Sequence, residues 1–367
     1  MVKVSDLVAE FLKEKQIEVV FGIIGSANSH IFDSISKLGY TKIINTHHEQ
    51  AAVMAMGAYY RASGKVSATI VTAGAGASNA VTGIVSNWAD SIPGIIISGN
   101  EGSQYIKDQE HLRMYGTQGF NIAKMVKDVT KWSHCLLDEH DTQHQLEISY
   151  QISNMDRKGP VLLDIPFDIQ SKVTTPRPWV PFKPTPNLHL KKGTEYIIEQ
   201  INKAKKPLIL GGNGVRLSDS KDKFNKFINH TKLPTTLTWS GIDLLESNND
   251  NFYGRFGLYG QRASNFIVQN CDLLIVLGSR LALPQTGYDF DQFVREGKII
   301  IIDINTPQFP LDKIDKWFKS DCRDVLNGLV DKISSINPVN PEWKEYCNSI
   351  RTEYPWIDKE HNHNGNY

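Results

Sequence analysis

The sequence predicts an α/β protein built of two doubly wound parallel-sheet domains, and three observations carry that expectation. Short β-branched runs alternate with stretches of helical spacing along most of the chain, the pattern of strands joined by crossover helices. The alternation is broken near the middle by a proline-rich stretch. A length of 367 residues exceeds one ordinary core and suits two.

Taken in order, Val4, Leu7, Val8, Phe11 and Leu12 recur at helical spacing, with Ser5 as the expected cap. IEVVFGII then reads as a buried strand, followed by a helix near Ile31 to Leu38 and the strand KIINT. An Ala/Met-rich helix starts at Glu49, and the strand SATIVT leads through a glycine loop to a helix from Ser78. The strand GPVLLDIP closes a first domain, placed at 1–168. SKVTTPRPWVPFKPTPN holds five prolines without periodicity, so 169–190 is expected to be a linker. The second domain, 191–335, repeats the alternation: helix Glu195 to Ala204, strand PLILGG, a helix around Phe224, strand LPTTLTW, a helix after Gln261, then strands DLLIVLG and KIIIIDIN. The polar segment 336–367 offers little to bury and is expected to be loosely held.

Composition narrows the chemistry. Forty basic and forty acidic residues cancel, so no long-range field favours nucleic acid or an anionic membrane. Cys135, Cys271, Cys322 and Cys347 show no C-x-x-C spacing and suit core thiols in a reducing compartment. Charges interrupt the apolar residues of the N-terminus from the start, and no stretch approaches a membrane span, so the protein is expected to be cytoplasmic. His361 and His363 in the tail make no metal site by themselves.

Two segments are candidates for function. In AGAGASNA, after SATIVT, Gly74 and Gly76 would let backbone approach a phosphate or flat ring closely. Asn79 replaces the third glycine of the dinucleotide fingerprint, and no acidic residue sits well about 20 positions on, which weakens a nicotinamide oxidoreductase reading. A tight turn that merely needs small residues is the plain alternative. Glu49 opens a helix of small apolar residues. The helix dipole favours a carboxylate there by about 0.3–1 kcal/mol without any catalysis. Burial at an interface would instead suit it to proton exchange. The broad apolar helices around Glu49 and Ile84 fit either an interface or core packing.

VFGIIGSANSHIFDSI, HHEQAAVMAMGAYYRASGKVSATIVTAGAGASNAVTGI and WADSIPGIIISG resemble, in that order, the pyrimidine-binding domain of thiamine-diphosphate-dependent enzymes of the acetolactate-synthase-like family. KKPLILGGNGV, LPTTLTWSGIDLLE, YGRFGLYGQRASN, CDLLIVLGSRL and IIIIDIN resemble the family's Rossmann-like central domain. The resemblance implies thiamine diphosphate as cofactor and a decarboxylase or carboligase acting on pyruvate or another small-molecule 2-oxo acid. The acceptor would be a second 2-oxo acid or a keto sugar. A homodimer or homotetramer is the family expectation.

Residue by residue, Glu49 matches the family glutamate that hydrogen-bonds N1′ of the aminopyrimidine and so makes its 4′-nitrogen basic. Gly25, Ser26 and Ala27 align with a loop near the reacting centre, although Ile24 stands where many relatives place proline. Thr72, Gly76 and Asn79 match a turn that lines the pyrimidine pocket or braces the glutamate. Gln118 and Phe120 fall near a substrate-channel phenylalanine. Some relatives bind FAD in the central domain. The matching positions are Gly212, Gly214, the Gly257 to Gly260 turn, Arg280 and Asp303, and LALPQTG departs from the usual segment after the arginine, so FAD stays open.

No G-D-G occurs in the chain, the motif with which the family holds Mg2+ and the cofactor diphosphate. The diphosphate-binding domain is therefore expected to be absent, and the chain alone to bind cofactor weakly. EHNHNGNY resembles the lead-in to that domain, which suits a longer enzyme cut at this point. A natural short subunit, non-catalytic or completed by a partner polypeptide, is the alternative.

Overall fold

The structure is a computed structural model that describes residues 1–109, 111–179 and 190–356. It falls into two compact units, Met1–Pro184 and Thr185–Tyr367. In the first, strands β1 (Val19–Gly22), β2 (Lys42–Asn45), β3 (Ala68–Val71), β4 (Gly94–Asn100), β5 (Trp132–Cys135) and β6 (Pro160–Pro166) form one parallel sheet in the order β2-β1-β3-β4-β6-β5. β4 and β6 are buried along their whole length, as strands covered on both faces must be. Val8, Phe11, Ile31 and Leu146 fill one face, and Val53, Met56, Ile84 and Val126 the other. Helices on both faces make the unit doubly wound, as the alternation predicts.

The second unit repeats the plan with β7 (Pro207–Gly211), β8 (Thr235–Leu237), β9 (Phe252–Arg255), β10 (Leu273–Leu277), β11 (Lys298–Asp303) and β12 (Lys316–Lys319). Their order is β9-β8-β7-β10-β11-β12, again all parallel. The outermost strand, β12, exposes a lysine at each end. Strands β4, β5, β9 and β12 add to those the sequence pattern picks out.

Ser5 does not cap the first helix. The cap position of helix Val4–Glu14 is Lys3, two residues earlier; the Val4 side chain enters the core and the Val4 N–H donates to Lys172 O at 2.9 Å. Ser5 lies fully buried inside the helix and accepts from the Ser34 hydroxyl. The first unit also runs past residue 168. Helix Phe167–Ser171 precedes the two-residue strand Val173–Thr174, which pairs with Val2–Lys3, and Trp179 packs on Phe11. The remaining prolines of the linker, beyond Trp179, lie outside the described residues. All four cysteines are free; Cys271, Cys322 and Cys347 are buried and Cys135 half-buried.

The segment after 336 departs from the expected loose tail. Helix Pro341–Glu353 carries Pro at its first turn, and the Asn340 side chain accepts from Glu342 N. Trp343, Tyr346, Cys347 and Ile350 follow at i, i+3, i+4 and i+7, so one face enters the core beside Tyr253 and Leu274. Trp343 Nε1 donates to Pro207 O at 2.9 Å, and Tyr253 Oη to Asn348 Oδ1 at 2.8 Å. Polar residues on the other face disguise this stripe in the composition. His361, His363 and EHNHNGNY lie outside the described residues. Replacing Trp343 by Ala removes a buried ring and its hydrogen bond together, so urea unfolding should show a loss of about 3–5 kcal/mol.

Candidate functional site

Parallel strands bring all their carboxyl ends to one edge, and a crevice opens where the strand order reverses. In the first unit that point lies between β1 and β3. β1 runs into the turn Ser26–Asn28, and β3 into the turn that opens helix Ala75–Asn79. Glu49 comes from the start of helix Glu49–Ser63, which follows β2. The sheet order thus gathers three loops that are far apart in sequence.

His48 caps the helix of Glu49, its Nδ1 accepting from Gln50 N at 3.2 Å. Glu49 is only 9 % exposed, and its Oε2 accepts from Asn79 Nδ2 at 3.1 Å. Its other oxygen faces Gly76. A Cβ on Gly76 would stand 3.2 Å from Glu49 Oε1 and 2.7 Å from Thr72 Cγ2. A Cβ on Gly25 would come within 2.5 Å of Thr72 Oγ1. Both glycines therefore permit close approach of the two turns. Thr72 Oγ1 is buried with no hydrogen-bond partner, which costs about 1–3 kcal/mol unless something else bonds it.

Gly74 adopts φ +67°, and a Cβ there would lie 2.8 Å from Gln118 O. Gln118 is exposed and is thereby brought to the rim of the turn. Phe120 is half-buried against the apolar layer that holds Phe21 and Ala52. Ser26 is exposed, while Ala27 is buried with its carbonyl accepting from Gln170 Nε2 at 2.7 Å. Gly25, Ser26, Ala27, Glu49, Thr72, Gly76, Asn79 and Gln118 thus belong to one edge of one sheet, and Phe120 packs beneath it.

Below this edge lies a polar group that the sequence reading passed over. Asp164 is fully buried on β6 and stands in register between Ser98 of β4 and Cys135 of β5. Burial pushes its carboxyl up from 3.8 to about 6, against the pull of hydrogen bonds from Ser98, Asn100 and the Cys135 thiol. The signal in the sequence is an aspartate inside the otherwise apolar PVLLDIP.

In the second unit the order reverses between β7 and β10. Gly212 N donates to Leu277 O at 2.8 Å and Gly214 N to Gly278 O at 3.0 Å. A Cβ on Gly214 would lie 2.6 Å from Gly278 Cα, so these glycines let the two turns pack backbone on backbone. Arg280 is exposed beyond β10, next to Leu281, which is buried with φ +51°. Asp303 ends β11, its Oδ1 accepting from Asn305 N at 2.9 Å. Among the described residues no group of three or more His, Cys, Asp or Glu could hold a metal ion, and no helix is long and apolar enough to cross a membrane.

Two family models match the chain: the N-terminal TPP binding domain of thiamine pyrophosphate enzymes over residues 2–125, and the central domain of the same enzymes over residues 194–329. Among similar proteins, the acetolactate synthase isozyme 2 large subunit of Escherichia coli is 29 % identical over 95 % of this chain and 62 % of its own length. The acetolactate synthase large subunit of Corynebacterium glutamicum is 28 % identical over 94 % of this chain and 55 % of its own length. The chloroplastic acetolactate synthase of Arabidopsis thaliana is 29 % identical over 89 % and 48 %. The chain therefore spans between about half and three-fifths of the length of these relatives.

Two outcomes follow from the geometry. Gly76→Ala forces Thr72 or Glu49 to move and should lower the thermal stability of the first unit by about 1–3 kcal/mol. Asp164 keeps its proton in the folded chain at pH values where the unfolded chain has released it. Its stabilising contribution is thus complete below about pH 4 and is lost as pH rises through about 6, on the order of 3 kcal/mol. Urea unfolding at a series of pH values should show that decline in the wild type and a flatter profile in Asp164→Asn.

Proposed function

The chain belongs to the thiamine pyrophosphate enzymes, and on that premise we propose that it is the pyrimidine-binding and central part of a carboligase or decarboxylase acting on pyruvate or another 2-oxo acid. The observation that carries this reading is the Glu49 carboxylate. It is nearly buried, steered by Asn79 through one oxygen, and edged by glycine and an unpartnered Thr72 hydroxyl. Such a surface suits a flat ring that has both a proton to share and polar atoms to satisfy Thr72.

When bound, thiamine diphosphate supplies a nucleophilic carbon and an electron sink for loss of carbon dioxide from a 2-oxo acid. Glu49 would hold the proton at N1′ of the aminopyrimidine, with Asn79 fixing the carboxylate's direction. Gly25 and Gly76 keep the turns free of side chains, and Thr72 offers its hydroxyl. Ser26, Ala27 and Gln118 line the side from which substrate would enter. Mg2+ and the diphosphate would be held by groups outside the described residues, in a further domain or a partner chain. The resulting site would be complete in a homodimer or homotetramer in the cytoplasm.

The same reading extends to FAD in the central unit. There Gly212 and Gly214 are occupied by packing on Gly278, so phosphate recognition would fall to Arg280 and ribose recognition to Asp303. The acceptor is a second 2-oxo acid or a keto sugar, which product analysis with pyruvate distinguishes. A subunit that depends on a partner for catalysis is the other reading the sequence leaves open.

Calorimetric titration with thiamine diphosphate and Mg2+, with Glu49→Gln in parallel, tests the proposal. Magnesium-dependent binding is expected in the complete protein. The substitution should lower carbon dioxide release from pyruvate about 100-fold or more, the usual loss for a proton-transfer group. Failure of the complete protein to release carbon dioxide from any 2-oxo acid would overturn the reading. Binding only after a second polypeptide is added would favour the partner-requiring subunit.

A further inference from the structure

The polar network beneath the candidate site connects to it through one side chain. Asp164 accepts from Ser98 Oγ at 2.6 Å and from Asn100 Nδ2 at 2.5 Å. Asn100, itself 2 % exposed, turns the same amide nitrogen to Tyr115 Oη and to Phe120 O, both at 3.2 Å. Tyr115 and Gly119 exchange a pair of backbone hydrogen bonds at 2.9 Å, which closes the loop that carries Gln118. Glu101 completes the attachment, its Oε1 accepting from Gln118 N at 3.1 Å and its own N–H donating to Asn100 Oδ1 at 2.9 Å. Gln118 then rests on Gly74, in the turn that holds Thr72 and Gly76 against Glu49.

A carboxylate in the middle of a buried parallel sheet is costly to desolvate. What a carboxylate does that an apolar group cannot is to fix an amide. An ionised carboxylate only accepts, so Asn100 must present its NH2 and not its carbonyl to Asp164. That orientation leaves the second N–H to be shared between Tyr115 Oη and Phe120 O. Protonation does not undo it: the Ser98 hydroxyl can turn to accept a proton carried on Oδ1, while Oδ2 still accepts from Asn100. We propose that Asp164 is a positioning residue, which orients the Asn100 amide so that it clamps the Tyr115–Phe120 loop and holds Gln118 at the mouth of the Glu49 site. The effect on catalysis rests on the carboligase reading above, whereas the clamp itself does not.

Two measurements on the complete protein separate these parts. In hydrogen exchange followed by mass spectrometry, Asp164→Leu, which cannot accept from Asn100, should speed exchange in the peptide covering 115–120 about tenfold, the factor that loss of one net hydrogen bond allows. The peptides of β4 and β6 should keep their protection. In steady-state kinetics with pyruvate, the same variant should raise KM by a larger factor than it lowers kcat, because the loop borders substrate entry and not the proton shared by Glu49. Asn100→Ser, which leaves Asp164 its Ser98 and Cys135 donors, should give the same local change, and it decides the matter if Asp164→Leu does not fold. Unchanged exchange at 115–120 overturns the clamp. A uniform loss of protection across the sheet also overturns it, since that is a structural role alone. Local loosening without any change in KM overturns the link to the site. If the wild type releases no carbon dioxide, the carboligase reading fails while the exchange experiment still decides the clamp.

Discussion

Parallel pairing is the constraint on which the rest of this molecule depends. Six strands that run the same way must each return by a crossover, and every crossover begins at the same edge of the sheet. Residues 25, 49, 72 and 118 are thereby gathered without any direct sequence signal for their proximity. The edge is also where backbone groups run out of ladder partners, so turns with glycine and side chains such as Asn28, which donates to Ile23 O, and Asn100, which donates to Phe120 O and accepts from Glu101 N, finish the hydrogen bonding. The candidate site and the need to satisfy strand ends occupy the same few positions.

The alternation of apolar runs and helical stretches made the fold class legible, because buried parallel strands read as nearly continuous Val, Ile and Leu. Three of the four edge strands were harder to see. β5 is WSHC and β12 is KWFK, half-buried pieces whose polar residues break the apolar signal. β9, with FYGR, is an edge strand too, and its glycine gives no pleat to recognise. β4 was different: GIIISGN is buried throughout, and a short run of that kind has no period to assign. Trp343 illustrates the opposite error, since mean polarity concealed a stripe at helical spacing.

At the candidate site, Glu49, Gly25, Thr72, Gly76 and Asn79 were legible through motifs, and the geometry adds what each touches. Asp164, Ser98, Asn100 and Tyr115 were not, because their partners are set by register across β4, β5 and β6. A single sequence carries no register. The one trace is chemical: an acid within an apolar strand has to be answered by donors somewhere.

The outer strand of the central sheet shows how its open side is kept from pairing. β12 places Lys316 and Lys319 in solvent at its two ends, with half-buried Trp317 and Phe318 between them. A second chain adding there as an extra strand would have to desolvate those ammonium groups or set like charge against like. The aromatic pair alone would invite such growth into a ribbon. Two ordinary surface lysines therefore disfavour a seventh strand on that side of the sheet.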